Sequence, residues 1–217
     1  MIFRSRSKFP IKQWKNRFVG ETAFLIGNGP SLMDNDLDII KDRFTIAINR
    51  GYKAITPVML LWQDESLYKD CLDEMRILPC AKVTRSGIDS DDIFTHFVLG
   101  KGGFTFTNDP SKLCGGGCTV ALAVQMIVSM GFSSIVLLGC DGRYRGDKTN
   151  FYGVNPNHTA NTLANFDYTM RWIRSECPRK IVNCSDTPYW PKVSLEQAVF
   201  ECNTPKRPRI EWLNRLM

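Results

Sequence analysis

Three side chains able to take part in proton transfer or phosphate departure, Tyr144, Tyr152 and His158, share one polar segment, residues 142–161. His158, in "NPNHTANT", ends a long polar loop just ahead of a helical pattern. There an imidazole stays reachable and titrates near neutral pH, which suits a general base. The two tyrosine hydroxyls, with Arg143, Arg145 and Lys148, can hold a departing phosphate by charge-assisted bonds. Upstream, "FLIGNGPSL" breaks an apolar run at Gly27-Asn28-Gly29. Glycines let a chain turn with no Cβ in the way, and amides at a helix start face an anion, so a phosphate or ribose hydroxyl is the natural guest. Asn28 adds a group that both donates and accepts. The triple glycine Gly115-Gly116-Gly117 precedes another helical pattern and repeats the arrangement. Two such turns favour a polyanionic ligand, a nucleotide diphosphate or a nucleotide sugar, although neither is a G-x-G-x-x-G fingerprint or a P-loop. Asp141 ends "IVLLGCD", where a carboxylate binds a divalent metal, orients a substrate hydroxyl or caps a turn. His96, beside an apolar run, reads as packing.

The elements that must position these groups alternate. Strands are expected at Ala23 to Ile26, Phe44 to Ile48, Val58 to Trp62 and Ser134 to Leu138, apolar on both faces as strands covered by helices must be. "AKVTRS", "HFVLG" and "KIVNCS" read as further short strands, and residues 101–117 as an irregular loop. Helices are expected over Cys118 to Met130, where Gln125 and Ser129 share one face, over about Leu163 to Ser175, and from Ser194. The pattern predicts an α/β fold: a single Rossmann-like open sheet, mostly parallel, with helices on both faces and a mobile lid loop at about 142–161. Ligands in such sheets sit outside the carboxyl ends of the strands. Gly27 to Gly29, Asn49, Gln63-Asp64, Asp141 and Ser185 each follow a strand directly, so parallel strands bring all of them to one edge.

A chain of 217 residues with 43% apolar and 23% charged residues is globular in composition and long enough for one core, which excludes disordered and fibrous classes. The domain spans 21–203, between a basic arm at 1–20 and a basic tail at 204–217. Arg4, Arg6, Lys8, Lys12, Lys15 and Arg17, with no acid among them, account for the net charge of +6, and Phe3, Phe9 and Trp14 are interleaved. Such an arm suits an anionic membrane surface, and nucleic acid or plain solvation are the alternatives. No signal peptide is recognisable, and eight cysteines without one read as thiols, so a cytoplasmic location is expected, peripheral on the inner face of the membrane if the arm engages it. Cys114 and Cys118 lack histidines at zinc spacing. The uncharged run Leu113 to Cys140 is long enough to span a bilayer, but glycines interrupt it, and a helix followed by a strand explains it better.

"FLIGNGPSL" and "GGGCTVALAVQMIVSMGFSSIVLLGCDGRY", with "INR" and "LLWQDES" between them and "IVNCSDTPYWPKVSLEQAV" after, resemble one superfamily. It joins small bacterial sialyltransferases, motility-accessory-factor glycosyltransferases and 6-hydroxymethyl-dihydropterin pyrophosphokinases. The resemblance covers about Thr22 to Val199, with the middle and the lid poorly matched. The sialyltransferase branch implies a glycosyltransferase with a CMP-linked sugar donor, no tightly bound cofactor and no metal, acting on a cell-surface glycan or lipopolysaccharide acceptor. It implies Asn28 and Ser31 near the donor phosphate or ribose and Asn49 and Gln63 further along the cleft. Cys118 and Thr119 stand where that branch has Thr-Ser near the donor sugar. Tyr144 and Tyr152 assist the leaving phosphate, and His158 is the base of an inverting displacement. The pyrophosphokinase branch implies instead that Asp141 and Asp64 hold magnesium on ATP. A non-catalytic module binding membrane or nucleic acid through the arm is the third alternative. In the enzymatic readings the partners are a nucleotide sugar and a glycan or lipid-linked acceptor, nucleic acid is not expected, and an oligomer is compatible with the sequence.

Overall fold

Short runs of β-branched, aromatic and other apolar residues separated by glycine-bearing turns and amphipathic stretches build one open sheet. The structure, a computed structural model, describes residues 10–88, 95–115, 117–154, 160–202 and 205–217. Its strands are β1 (Thr22–Ile26), β2 (Thr45–Ile48), β3 (Met59–Trp62), β4 (Ala81–Arg85), β5 (Thr95–Gly100), β6 (Lys112–Cys114), β7 (Ser134–Leu138) and β8 (Lys180–Asn183). They pair in the order β6-β5-β4-β3-β2-β1-β7-β8, every pair parallel. The helices are α1 (Glu65–Ile77), α2 (Thr119–Ser129), α3 (Ala160–Glu176), α4 (Leu195–Cys202) and α5 (Arg209–Asn214).

Because strand side chains alternate in direction, the sheet feeds two cores. Ala23 and Leu25 of β1 join α2, α3 and α5 on one face, while Phe24 and Ile26 join α1 and α4 on the other. The α/β reading therefore holds, with the sheet wholly rather than mostly parallel. The uncharged run resolves into α2 and β7, separated at Gly131, whose φ of 93° favours glycine. Among the described residues no helix is long and apolar enough to cross a membrane.

The loop expected over 101–117 contains an edge strand instead. β6 is only three residues long and flanked by turns, too short for an alternating pattern, yet Leu113 is fully buried. Gln125 of α2 holds this strand: its Oε1 accepts from the Cys114 amide at 2.9 Å and its Nε2 donates to the Cys114 carbonyl at 2.7 Å.

Parts of both basic ends are packed into the fold. Ile11, Trp14 and Phe18 are buried on one side of the sheet, as are Trp212, Leu213 and Leu216. Phe18 stacks on Phe132 at 4.8 Å, and Trp212 meets Phe44 edge-on at 5.5 Å. Trp14 Nε1 donates to the Leu216 carbonyl at 2.7 Å, and the Arg215 guanidinium lies 4.6 Å from the Phe18 ring centre. Trp14 is thus a core residue and not an exposed aromatic of the arm. Residues 1–9 lie outside the described residues.

Candidate functional site

The chain runs outward from β1 through β2 to β6 and then returns across the sheet through α2 to β7. The connections leaving β1 and β7 therefore diverge, which opens a crevice at the carboxyl ends of these two neighbours. A cleft of about 620 Å³ occupies that place. Its wall at β1 is Gly27, Asn28 and Gly29, and at β7 it is Gly139, Cys140 and Asp141. The exits of β2 and β3 add Asn49, Arg50, Gln63 and Asp64, and the start of α2 adds Gly117, Cys118 and Thr119. Tyr144 and Tyr152 close one side, with Arg143 exposed beside them.

The glycine turn is built by a close crossing of two strand exits. A Cβ on Gly27 would lie 2.3 Å from the Gly139 carbonyl oxygen, and one on Gly29 would lie 2.5 Å from Asp141 Cγ. The Gly27 amide donates to the Leu138 carbonyl and the Gly29 amide to the Gly139 carbonyl, each at 2.7 Å. Asp141, 2% exposed, accepts from the Ser31 amide at 2.8 Å, from the Ser31 hydroxyl, and from the Asp186 amide at 3.2 Å. Of the three roles open to Asp141, the observed bonds are those of the turn cap. Ser31 is fully buried behind the turn and does not line the cleft. Ser185, two residues after β8, is also sealed in, accepting from the Cys140 amide at 2.9 Å.

Asn28 and Asn49 face the cleft differently. Asn28 Nδ2 donates to the Ile48 carbonyl at 3.2 Å, which fixes the orientation of the carboxamide. The Oδ1 atoms of Asn28 and Asn49 are buried and accept no hydrogen bond from the described residues. Asn49 also holds φ at 51°, a left-handed conformation that asparagine tolerates better than most residues. An unmet buried acceptor costs about 1–3 kcal/mol, which a ligand hydroxyl or amino group would offset.

Gln63 Nε2 donates to Thr119 Oγ1 at 3.2 Å, and Arg85 Nε donates to the Gln63 carbonyl at 2.9 Å, so the β3 exit is tied to both α2 and β4. Asp64 follows on the cleft wall, reachable by solvent yet flanked by protein. That loss of solvent raises its pKa, with Arg85 pulling the other way. Desolvation also raises the Cys118 pKa, although the Val120 and Ala121 amides favour the thiolate.

Residues 142–154 of the expected lid fold back onto the β1 turn. The Phe151 amide donates to the Asn28 carbonyl at 2.9 Å, and Phe166 of α3 packs so closely on Gly142 that a Cβ there would lie 2.3 Å from the ring. Arg145 does not turn toward the cleft as a phosphate ligand would. It makes a bidentate pair with Asp34 at 2.8 and 2.7 Å and reaches Asp186 at 2.5 Å, while Lys192 bonds Asp186 at 2.8 Å. Asp34 is held below the ordinary carboxylate value chiefly by the Arg145 hydrogen bond. For Asp186, burial opposes the charge, but hydrogen bonds from Lys192 and Arg145 outweigh it.

Depressed carboxylate pKa values stabilise the fold above the unfolded value near 3.8, and the contribution vanishes as pH falls through the folded values. Because the clasp is exposed, it is worth about 1 kcal/mol or less. Arg145→Ala is therefore expected to lower the melting temperature by roughly 2–4 °C at pH 7. The gap from wild type should begin to shrink as pH falls below about 3.8 and go on shrinking as the folded carboxylates protonate, and a gap unchanged by pH would show that the arginine acts by packing.

His158 and Gly116 lie outside the described residues. Residues the sequence did not single out include Asp70, which pairs with Arg50 at 3.3 Å, and the first turns of α3, where Thr162, Leu163, Asn165 and Phe166 line the cleft. The helix begins at Ala160 rather than near Leu163, and so reaches the site. His96 sits in β5, half-buried and away from the cleft.

Of the two acids that the pyrophosphokinase branch implies for magnesium, Asp141 is 2% exposed and engaged by the Ser31 amide and hydroxyl and the Asp186 amide, while Asp64 lies on the cleft wall. Among the described residues no group of three or more His, Cys, Asp or Glu gathers around them.

No family model matches the chain, and neither does any curated protein. Among solved structures the chain is similar to an α-2,3-sialyltransferase from Campylobacter jejuni in apo form, with a TM-score of 0.41 and 14% identity, covering 81% of this chain and 80% of that one.

Proposed function

We propose that the chain is a glycosyltransferase that binds a nucleotide-activated sugar in the cleft and passes the sugar to a hydroxyl of a glycan or lipid-linked acceptor. The reading is carried by the cleft at the strand-order reversal, whose wall includes Asn28 and Asn49, two carboxamides with oxygens unmet among the described residues. They ask for a ligand rich in donors, as a ribose diol or an amino-bearing base is. The two tyrosines lining the cleft, and the resemblance of "FLIGNGPSL" and "GGGCTVALAVQMIVSMGFSSIVLLGCDGRY" to sialyltransferase motifs, favour a CMP-linked donor over other nucleotides.

In this mechanism the acceptor oxygen bonds to the anomeric carbon as the bond from that carbon to the donor phosphate breaks. The acceptor proton goes to His158, and Tyr144 and Tyr152 donate hydrogen bonds to the departing nucleotide phosphate. Such chemistry suits the cytoplasmic face of a membrane, where activated donor and lipid-linked acceptor meet.

A thermal-shift panel of CMP, CDP, UDP, GDP and ATP, each with and without magnesium, tests the reading. CMP at a hundredfold excess over its dissociation constant is expected to raise the melting temperature by roughly 5–10 °C without magnesium. The same shift should survive in His158→Ala while transfer is lost. Preference for ATP with magnesium overturns the proposal toward a pyrophosphokinase, and no response to any nucleotide overturns it toward a binding module.

A further inference from the structure

Beyond the cleft, four aromatic rings form a ladder between α3 and the segment that precedes β6. Tyr168 lies 5.7 Å from Phe104, Phe104 lies 5.0 Å from Trp172, and Trp172 stacks on Phe106 at 4.6 Å with planes 17° apart. The ladder is anchored at its middle. Gly115, with φ at 79°, accepts the Phe104 ring so closely that a Cβ would lie 2.2 Å from it. Gly117 and Cys118, two and three residues further along the chain, lie on the cleft wall.

The ladder also continues the cleft along α3. At 100° per residue, Thr162, Asn165, Tyr168 and Trp172 share one face of the helix. The first two line the cleft, and the last two are rungs of the ladder. Fastening the 101–111 segment to α3 accounts for Phe104, Phe106 and Trp172, which are half-buried. It does not account for Tyr168, whose side is left 63% exposed at the outer end.

We infer that this outer rung is the acceptor subsite, a platform on which the C–H face of a pyranose ring stacks next to the donor cleft. The inference rests on the glycosyltransferase reading for the word acceptor, and on the ring ladder for the sugar. The electron-rich face of an aromatic ring attracts the weakly positive C–H groups of a sugar, while the sugar hydroxyls stay in water or reach polar neighbours. A tyrosine leaning on Phe104, with two side-chain torsions to order, supplies that contact at little entropic cost. The nucleotide is left to the inner end, where the unmet carboxamides are.

Saturation-transfer NMR with methyl β-galactoside, methyl β-glucoside and methyl α-mannoside, with cytidine as a further probe, tests this on wild type, Tyr168→Ala and Tyr168→Phe. At least one glycoside is expected to receive saturation on its C–H face, kept in Tyr168→Phe and reduced fivefold or more in Tyr168→Ala, with the CMP thermal shift equal in all three proteins. Equal saturation in wild type and Tyr168→Ala, saturation of none of the glycosides, or loss of cytidine instead of glycoside overturns the subsite. Glycoside binding that depends on Tyr168 in a protein that ignores every nucleotide would sink the donor reading while keeping the sugar platform.

Discussion

Gly27→Ala is expected to lower the melting temperature by roughly 5–12 °C or to abolish folding, from an added methyl group alone. The new Cβ would lie 2.3 Å from the Gly139 carbonyl oxygen, 2.8 Å from its carbon and 3.1 Å from Cys140 Sγ. The first two are backbone atoms at the end of a central strand. β1 and β7 are paired along their length from Thr22 with Ser134 to Ile26 with Leu138, so neither can withdraw without breaking the ladder. Overpacking costs about 1–3 kcal/mol where neighbours can shift and more where they cannot. At about 2–4 °C per kcal/mol for a chain of this size, the upper end of that cost, about 3 kcal/mol, gives the stated range, and a larger cost gives loss of folding. Gly117→Ala is the control. Gly117 lines the cleft with nothing within 4 Å of its added Cβ, so the variant should melt like wild type and alter only ligand affinity. Differential scanning calorimetry decides it, and a Gly27→Ala melt within 2 °C of wild type would mean the two exits are not pressed together.

Asp141→Asn is expected to destabilise the protein by about 2–4 kcal/mol. The carboxylate sits in a nest of three donors, the Ser31 amide and hydroxyl and the Asp186 amide, with almost no solvent contact. Asparagine keeps the shape but turns an N–H toward one of these donors. Leaving a buried donor unsatisfied costs about 1–3 kcal/mol, and removing the charge weakens the remaining bonds. Ser31→Ala should cost less, about 1–2 kcal/mol, because the Asp186 and Ser31 amides still reach the carboxylate. Urea denaturation measures both. A variant of unchanged stability but no substrate affinity would return Asp141 to the role of substrate ligand.

Much of the fold was legible because strands buried on both faces write continuous apolar runs. Ala23 to Ile26 and Ser134 to Leu138 lie within observed strands, and the rule for parallel sheets placed Asn28, Asn49, Gln63 and Asp141 on one rim. β6 was not legible, because three residues carry no period and the strand depends on Gln125 reaching across from α2. The purpose of Gly27 and Gly29 was only half legible. A glycine turn reports that something approaches the backbone closely, but the sequence does not say whether it is a ligand or another strand, and here it is β7. Arg145 was misdirected for a related reason. Its partners, Asp34 and Asp186, lie 111 and 41 positions away, so no local spacing announces them. At the ends charge hides packing: lysines and arginines stand between Trp14, Phe18, Trp212 and Leu216, which are buried, and so break up any apolar period.

The hydrogen bond from Trp14 to Leu216 joins positions 202 apart in the chain. Phe18 also packs on Phe44 and Phe132, but the Trp14 bond to Leu216 and the Trp212 contacts need segments far apart in the chain to meet, so closure of this part of the core is among the late events of folding. Until it closes, the side of Phe18 and Phe44 that Trp212 covers is left as apolar surface open to unwanted association.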